Sequence, residues 1–186
     1  MTNNQNQNTK VVTGVCLFSY LHVWEPQSIN GSEPKYSVSL LIPKEDKQTL
    51  EAVDKAIKAA MEIGKSSKFG GKIPPNLKLP LRDGDTDRPE DDVYKGHYFI
   101  NANCKNRPGL IYQNGQPIMD STDLYSGCYG RASVTFYPYS ANGNRGIACG
   151  LNHLMKVADG DPLGGRSRVE DDFASFIQDD DDDFLN

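Results

Sequence analysis

Over residues 10–24 the chain alternates, with Val11, Val15, Leu17, Leu21 and Val23 on one side and Phe18, Tyr20, His22 and Trp24 on the other. Successive side chains of a strand point to opposite faces, so period-two patterning predicts one long strand here. Asn30-Gly31, between Pro26 and Pro34, marks a turn, because these residues accept the backbone angles that tight turns impose. Residues 36–42 read as a second strand, ended by Pro43. The period then lengthens. Leu50, Val53, Ile57 and Met61 make one apolar stripe, with Lys47, Lys55, Lys58, Glu51 and Asp54 around it. That spacing predicts a helix over 44–63 lying on a sheet, stopped at Gly64.

Residues 65–95, rich in Gly, Pro, Lys and Asp, read as a long connection with a short strand at 79–82; connections of this length commonly carry function. Strands follow at 97–104, 109–113, 124–137 and 145–151, with Asn114-Gly115 and Asn142-Gly143 as turns. The last two strands form a hairpin. Five to seven short strands with a single solid helix predict a mainly β domain, a small barrel or sandwich with an accessory helix and long loops. The domain spans 10–157. An Asn/Gln-rich start, 1–9, reads as disordered, and 158–186 as a flexible linker and acidic tail.

Charge changes this picture more than composition does. The 186 residues carry a net charge of −5. Residues 170–186 hold eight acids and no Lys or Arg, which leaves 17 acids against 20 bases in residues 1–169. A body of +3 with an arm of −8 suits a polyanionic ligand, although the net charge alone argues against one. No apolar run approaches the roughly 20 residues of a membrane span, and residues 1–10 lack the apolar core of a secretory signal. A soluble, intracellular protein without membrane association is expected. Cys16, Cys104, Cys128 and Cys149 are 88, 24 and 21 residues apart. This is not metal-knuckle spacing, so reduced thiols packed as small hydrophobes are expected.

Catalytic patterns fail one by one. The acids from Asp83 to Asp92 could hold a metal as a nuclease does. However, Arg88 stands where a calcium loop needs glycine, and Tyr94 where it needs glutamate. No phosphate-binding glycine loop and no nucleophile elbow occurs. No cofactor is implied, and the reading is a non-enzyme.

Unpaired nucleic acid needs aromatic platforms for bases and cations for phosphates. Residues 125–139 supply both: Tyr125, Tyr129, Arg131, Tyr137 and Tyr139 share one face, opposite Leu124, Cys128, Ala132, Val134 and Phe136. The strand over 10–24 repeats the split with Phe18, Tyr20 and Trp24. Candidate base-stacking residues are therefore Trp24, Tyr129, Tyr137, Tyr139, Phe18 and Tyr20. Candidate phosphate contacts are Arg131, Lys10, Lys105, Arg107, Arg145 and Lys156. The run Asp179, Asp180, Asp181, Asp182, Asp183 followed by Phe184 is a candidate partner-binding tail that competes with nucleic acid for the basic body.

The segments VVTGVCLFSYLHVWEP, KYSVSLLIPKED, PLRDGD, YSGCYGRASVTFYPY and GIACGLNHLMKVADGDPLGGR together resemble the single-stranded-DNA-binding proteins of tailed phages, over roughly residues 10–176. The resemblance implies an OB-type fold, a five-stranded or slightly larger barrel with a capping helix. It also implies an accessory role in phage DNA replication and recombination, in the cytoplasm of an infected bacterium. The implied partners are single-stranded DNA, duplex DNA or RNA more weakly, and replication proteins such as polymerase or helicase through the tail. A homodimer is compatible with it. The alternatives are a protein-interaction or nucleic-acid-mimic module, and the metal-dependent nuclease.

Overall fold

The stretch predicted as one strand over 10–24 is two. In the computed structural model, which describes residues 8–28, 31–163, 173, 175 and 176, β1 (Lys10–Val12) and β2 (Cys16–Gln27) are separated at Thr13 to Val15. Gly14 causes the break. Its N–H donates to Thr49 Oγ1 at 2.9 Å, and a Cβ there would stand 2.5 Å from an Asp46 carboxylate oxygen. Beyond the break the inward phase is reversed. Val15 is exposed, whereas Cys16 and Phe18 are buried. The pairing of β2 with β3 (Lys35–Pro43) slips again between Ser19 and His22, where Tyr20 takes a φ of 46°. Strict alternation therefore assigns Phe18 to the wrong face: it lies in the core with no exposure and cannot stack on a base.

Helix α1 runs over Lys47–Ser67 and starts where Asp46 accepts from the Thr49 N–H. Side-chain acceptance of this kind satisfies a donor that the first helical turn leaves unpaired. Val53, Ala56, Ile57 and Ala60 face the core. Gly64 is not the stop. It is buried inside the helix, where its missing side chain admits the Phe69 ring and Pro138.

The remaining strands are β4 (Leu81–Asp83), β5 (His97–Cys104), β6 (Gly109–Tyr112), β7 (Tyr129–Ala141) and β8 (Asn144–Ala158), with a four-residue helix α2 (Gly84–Asp87) and a 3-10 turn (Asp92–Tyr94). Five strands form a ring in the order β2–β3–β5–β8–β7, which returns to β2. All pairs are antiparallel except β5 with β8. Closure is narrow: β7 meets β2 only at Cys16↔Gly130 and Leu17↔Tyr129, and β1 takes over the same edge at Lys10↔Thr135. This is an imperfect barrel of the OB type, filled by Val38, Leu40, Ile42, Ile100, Ala102, Val134 and Phe136.

The long connection has structure of its own. Where β5 and β8 part, it enters between them: Lys78 bridges to Gly146, and β4 pairs with β5. Tyr94 then covers the outside of the sheet. It packs edge-on to Phe99 at 5.0 Å and joins Leu41 and Phe99 in a second small core. Residues 159–163, expected as free linker, are tied back by Leu163 N–H to Ser126 O at 2.9 Å and by Tyr125 Oη to Gly160 O at 2.9 Å.

Candidate nucleic-acid interface

The outward residues of β5 are Phe99, Asn101, Asn103 and, just past its end, Lys105; their inward neighbours Ile100 and Ala102 are buried. On the next strand, β8, the outward positions are Gly146, Ala148 and Gly150. Three small residues at period two leave a bare strip beside β5, and β7 walls its other side with Tyr137 and Tyr139. Tyr137 is 41% exposed. A side chain on Gly150 would reach its ring at 3.5 Å, and one on Gly146 would lie 2.8 Å from the Tyr139 hydroxyl and 2.5 Å from the Lys78 carbonyl. The glycines thus let the rings and the inserted connection lie close to the sheet.

The result is an open trough of about 450 Å³, bounded by Tyr137 and Tyr139, Asn101 and Asn103, and the cations Lys35, Lys78 and Arg82. A second hollow of about 640 Å³ gathers Lys10, Lys105, Arg107, Asn152 and His153. Burial and the neighbouring Cys149 raise the Tyr137 phenol above its ordinary value, while Lys105 pulls it down. The two hollows adjoin along β5, where Asn103 lines the first and Cys104 the second. Among the described residues no Asp or Glu lines either one. Of the cations, Arg82 pairs with Asp87 at 3.0 Å and Lys105 with Glu33 at 3.4 Å. Exposed pairs of this kind hold their partners weakly. In an OB barrel the face of the second and third ring strands and the loops flanking it form the oligonucleotide side. Here those strands are β3 and β5, of which β5 borders the trough and β3 gives it only Lys35.

Both ends of the path carry a cation on a ring. Arg107 stands 5.1 Å from Trp24, whose indole N–H donates to Leu124 O at 2.9 Å. At the other end Arg88 lies 6.0, 5.7 and 5.9 Å from Tyr20, Tyr94 and Phe99, and Arg82 lies 5.1 Å from Phe99. Cations over aromatic faces are held by the ring quadrupole.

The sequence-predicted residues divide on this map. Tyr137 and Tyr139 line the trough, Lys10, Lys105 and Arg107 the second hollow, and Trp24 and Tyr20 the ends. Arg145 is exposed near the tip of the β7–β8 hairpin, its carbonyl accepting from Lys78 N–H. Tyr129 and Arg131 lie on the far part of β7, roughly 27 and 20 Å along the strand from Tyr137; Arg131 donates to Thr13 O. Lys156 is a correction. Its ammonium is clasped by Asp159 at 2.6 Å and by the Asp123 carbonyl, with 12% of the side chain exposed, so it has little to offer a phosphate. Asp179 to Asp183 and Phe184 lie outside the described residues. Lys78, Arg82, Arg88, Asn101 and Asn103 escaped the sequence reading. The alternation of Gly146, Ala148 and Gly150 was the signal that could have located the trough.

Of the six acids from Asp83 to Asp92, all but the exposed Glu90 are engaged in structure. Lys44 bridges Asp83 at 2.8 Å and Asp85 at 2.6 Å, which holds both carboxyls below their ordinary value. Asp87 pairs with Arg82, Asp92 pairs with Lys95, and Asp91 caps the 3-10 turn. Among the described residues no group of three metal-ligating side chains comes together, and no helix is long and apolar enough to cross a membrane. The four cysteines are free. Burial raises all four thiols, Cys16 to about 11.

Comparisons with known proteins agree with this geometry. The family model described as Enterobacter phage Enc34, ssDNA-binding protein, matches residues 9–185. Protein p50 of Acyrthosiphon pisum secondary endosymbiont phage 1 is 32% identical over 162 residues, 82% of this chain and 86% of that one. Among solved structures, the single-stranded DNA-binding protein from bacteriophage Enc34 in complex with ssDNA is similar with a TM-score of 0.75. It is 24% identical and the match covers 88% of this chain and 97% of the other. The gp2.5 single-stranded DNA binding protein encoded by bacteriophage T7 is similar with a TM-score of 0.63, at 18% identity, covering 92% and 96%.

Proposed function

The chain belongs to the Enterobacter phage Enc34 ssDNA-binding protein family, a family of binding proteins and not of enzymes, and we propose that it binds single-stranded DNA with little regard to sequence. The observation that carries this reading is the trough walled by Tyr137 and Tyr139 and the hollow beside it, which together gather six Lys and Arg side chains and, among the described residues, no acid. Bases stack on the two tyrosines, with Trp24 and Tyr20 at either end, and the cations neutralise the phosphates between. Each stacking ring contributes about 1–3 kcal/mol. With about four to six phosphates neutralised, log affinity falls with log salt at a slope of about −3 to −4. Duplex DNA binds more weakly, because stacking needs bases that are free to splay.

The protein then serves phage DNA replication and recombination in the cytoplasm of the bacterial host. The arm of eight acids competes with DNA for the trough and docks on basic replication proteins such as a polymerase or helicase. The separation of charge between body and arm supports this reading. Titration with oligo-dT, followed by the emission of the single Trp24, tests the binding claim. Saturable quenching that salt reverses is expected. An unchanged emission together with an unshifted labelled oligonucleotide would refute it.

A further inference from the structure

Asn101 and Asn103 project from β5 into the trough, and no described residue hydrogen-bonds to either carboxamide. Asn103 stands opposite Gly150 in the parallel ladder, and the Tyr137 ring leans over that same glycine. The sheet thus places an aromatic face, a bare strip and a free amide in one row across β7, β8 and β5, a span of roughly 10 Å at two strand spacings. A base seated on the ring over Gly150 turns its edge toward β5. Asn101 repeats the amide two residues along, about 6.7 Å away, on the Lys78 and Arg82 side.

We propose, on the single-stranded DNA reading, that Asn101 and Asn103 hydrogen-bond the Watson–Crick edges of unpaired bases and so give the trough its preference for single strands over duplex. A carboxamide offers a donor and an acceptor side by side. Each base edge does the same, in one order for adenine and cytosine and in the other for guanine and thymine. Rotating the amide by half a turn matches either order, so one asparagine serves all four bases without selecting among them. In a duplex those edges are already paired, and the amides find no partner.

The test uses the full chain and two oligonucleotides of equal length, one of thymidine and one of N3-methylthymidine. Methylation keeps the phosphates and the ring face but blocks the edge. Methylation is expected to weaken binding about tenfold, and an Asn101→Ala/Asn103→Ala variant is expected to bind both oligonucleotides alike, at the level the intact protein shows for the methylated one. Equal binding of the two oligonucleotides by the intact protein would overturn the inference and leave DNA binding standing. A variant that still loses affinity on methylation would also overturn it, since the methyl group would then clash elsewhere. A chain that binds neither oligonucleotide would overturn the DNA-binding reading and this inference together.

Discussion

Phe18 and Tyr20 are two residues apart, and period-two reading puts them on one face, yet one is fully buried and the other 54% exposed. They therefore predict opposite outcomes. Phe18→Ala empties a core site and should cost about 3–5 kcal/mol of stability, measured by denaturant unfolding, with DNA affinity of the folded fraction unchanged. Tyr20 holds a φ of 46°, a conformation that costs a side-chain-bearing residue of order 1 kcal/mol or more and that glycine adopts freely. Tyr20→Gly should leave the melting temperature level or raised while removing the ring under Arg88, weakening oligo-dT binding severalfold. A variant that melts lower and binds normally would show that Tyr20 serves the fold alone. Tyr137→Ala and Tyr139→Ala each remove one platform and should weaken binding about tenfold. What the sequence could not reveal at this scale is phase. Gly14 and the slip after Ser19 each shift the register, and a one-residue shift turns every following side chain over. The face of β7 was legible because no such interruption falls between Val134 and Tyr139.

Among the elements, those with uninterrupted periodicity were legible. The 97–104 strand is β5 with the same bounds, the closing hairpin is β7–β8, and the stripe Val53, Ile57 is the buried side of α1. The connection over 65–95 was not, because its structure comes from contacts distant in sequence: Lys78 with Gly146, Tyr94 with Ser39, and Lys44 with Asp83 and Asp85. The last of these has a pH signature. Lys44 depresses both carboxyls, so its contribution to stability is present above their unfolded value near 3.8 and is lost as pH falls through their lower folded values. Lys44→Met should therefore melt below the parent at pH 7, and the difference should shrink once acid protonates both aspartates. A difference that is the same at both pH values would mean that Lys44 contributes packing and not charge. The same connection brings Lys78 and Arg82 to the trough. Neutralising either should reduce the salt slope of binding by a little under one, as removal of one phosphate contact from a single strand does.

At the scale of the molecule the deciding quantity is where the charges are. Removal of residues 170–186 takes away eight acids and turns a net −5 into +3. Leu163 N–H still ties the chain back to the barrel, so a chain ending at Val169 keeps the contacts of the described trough residues. On the competition proposed above, an arm tethered at that point would see the cations at an effective concentration of order millimolar, enough to populate even weak ion pairing when salt is low. The shortened chain should bind oligo-dT severalfold more tightly than the full chain at low salt. The two should converge as the screening length shrinks, from about 10 Å at 0.1 M salt toward about 3 Å at 1 M. Equal affinities at low salt would remove the competition and leave the arm as a partner contact. A gap that persisted at high salt would point instead to the apolar residues of the arm, Phe173 and Phe176 included, both exposed where they are described. Convergence with salt is therefore the measurement that separates charge competition from apolar docking.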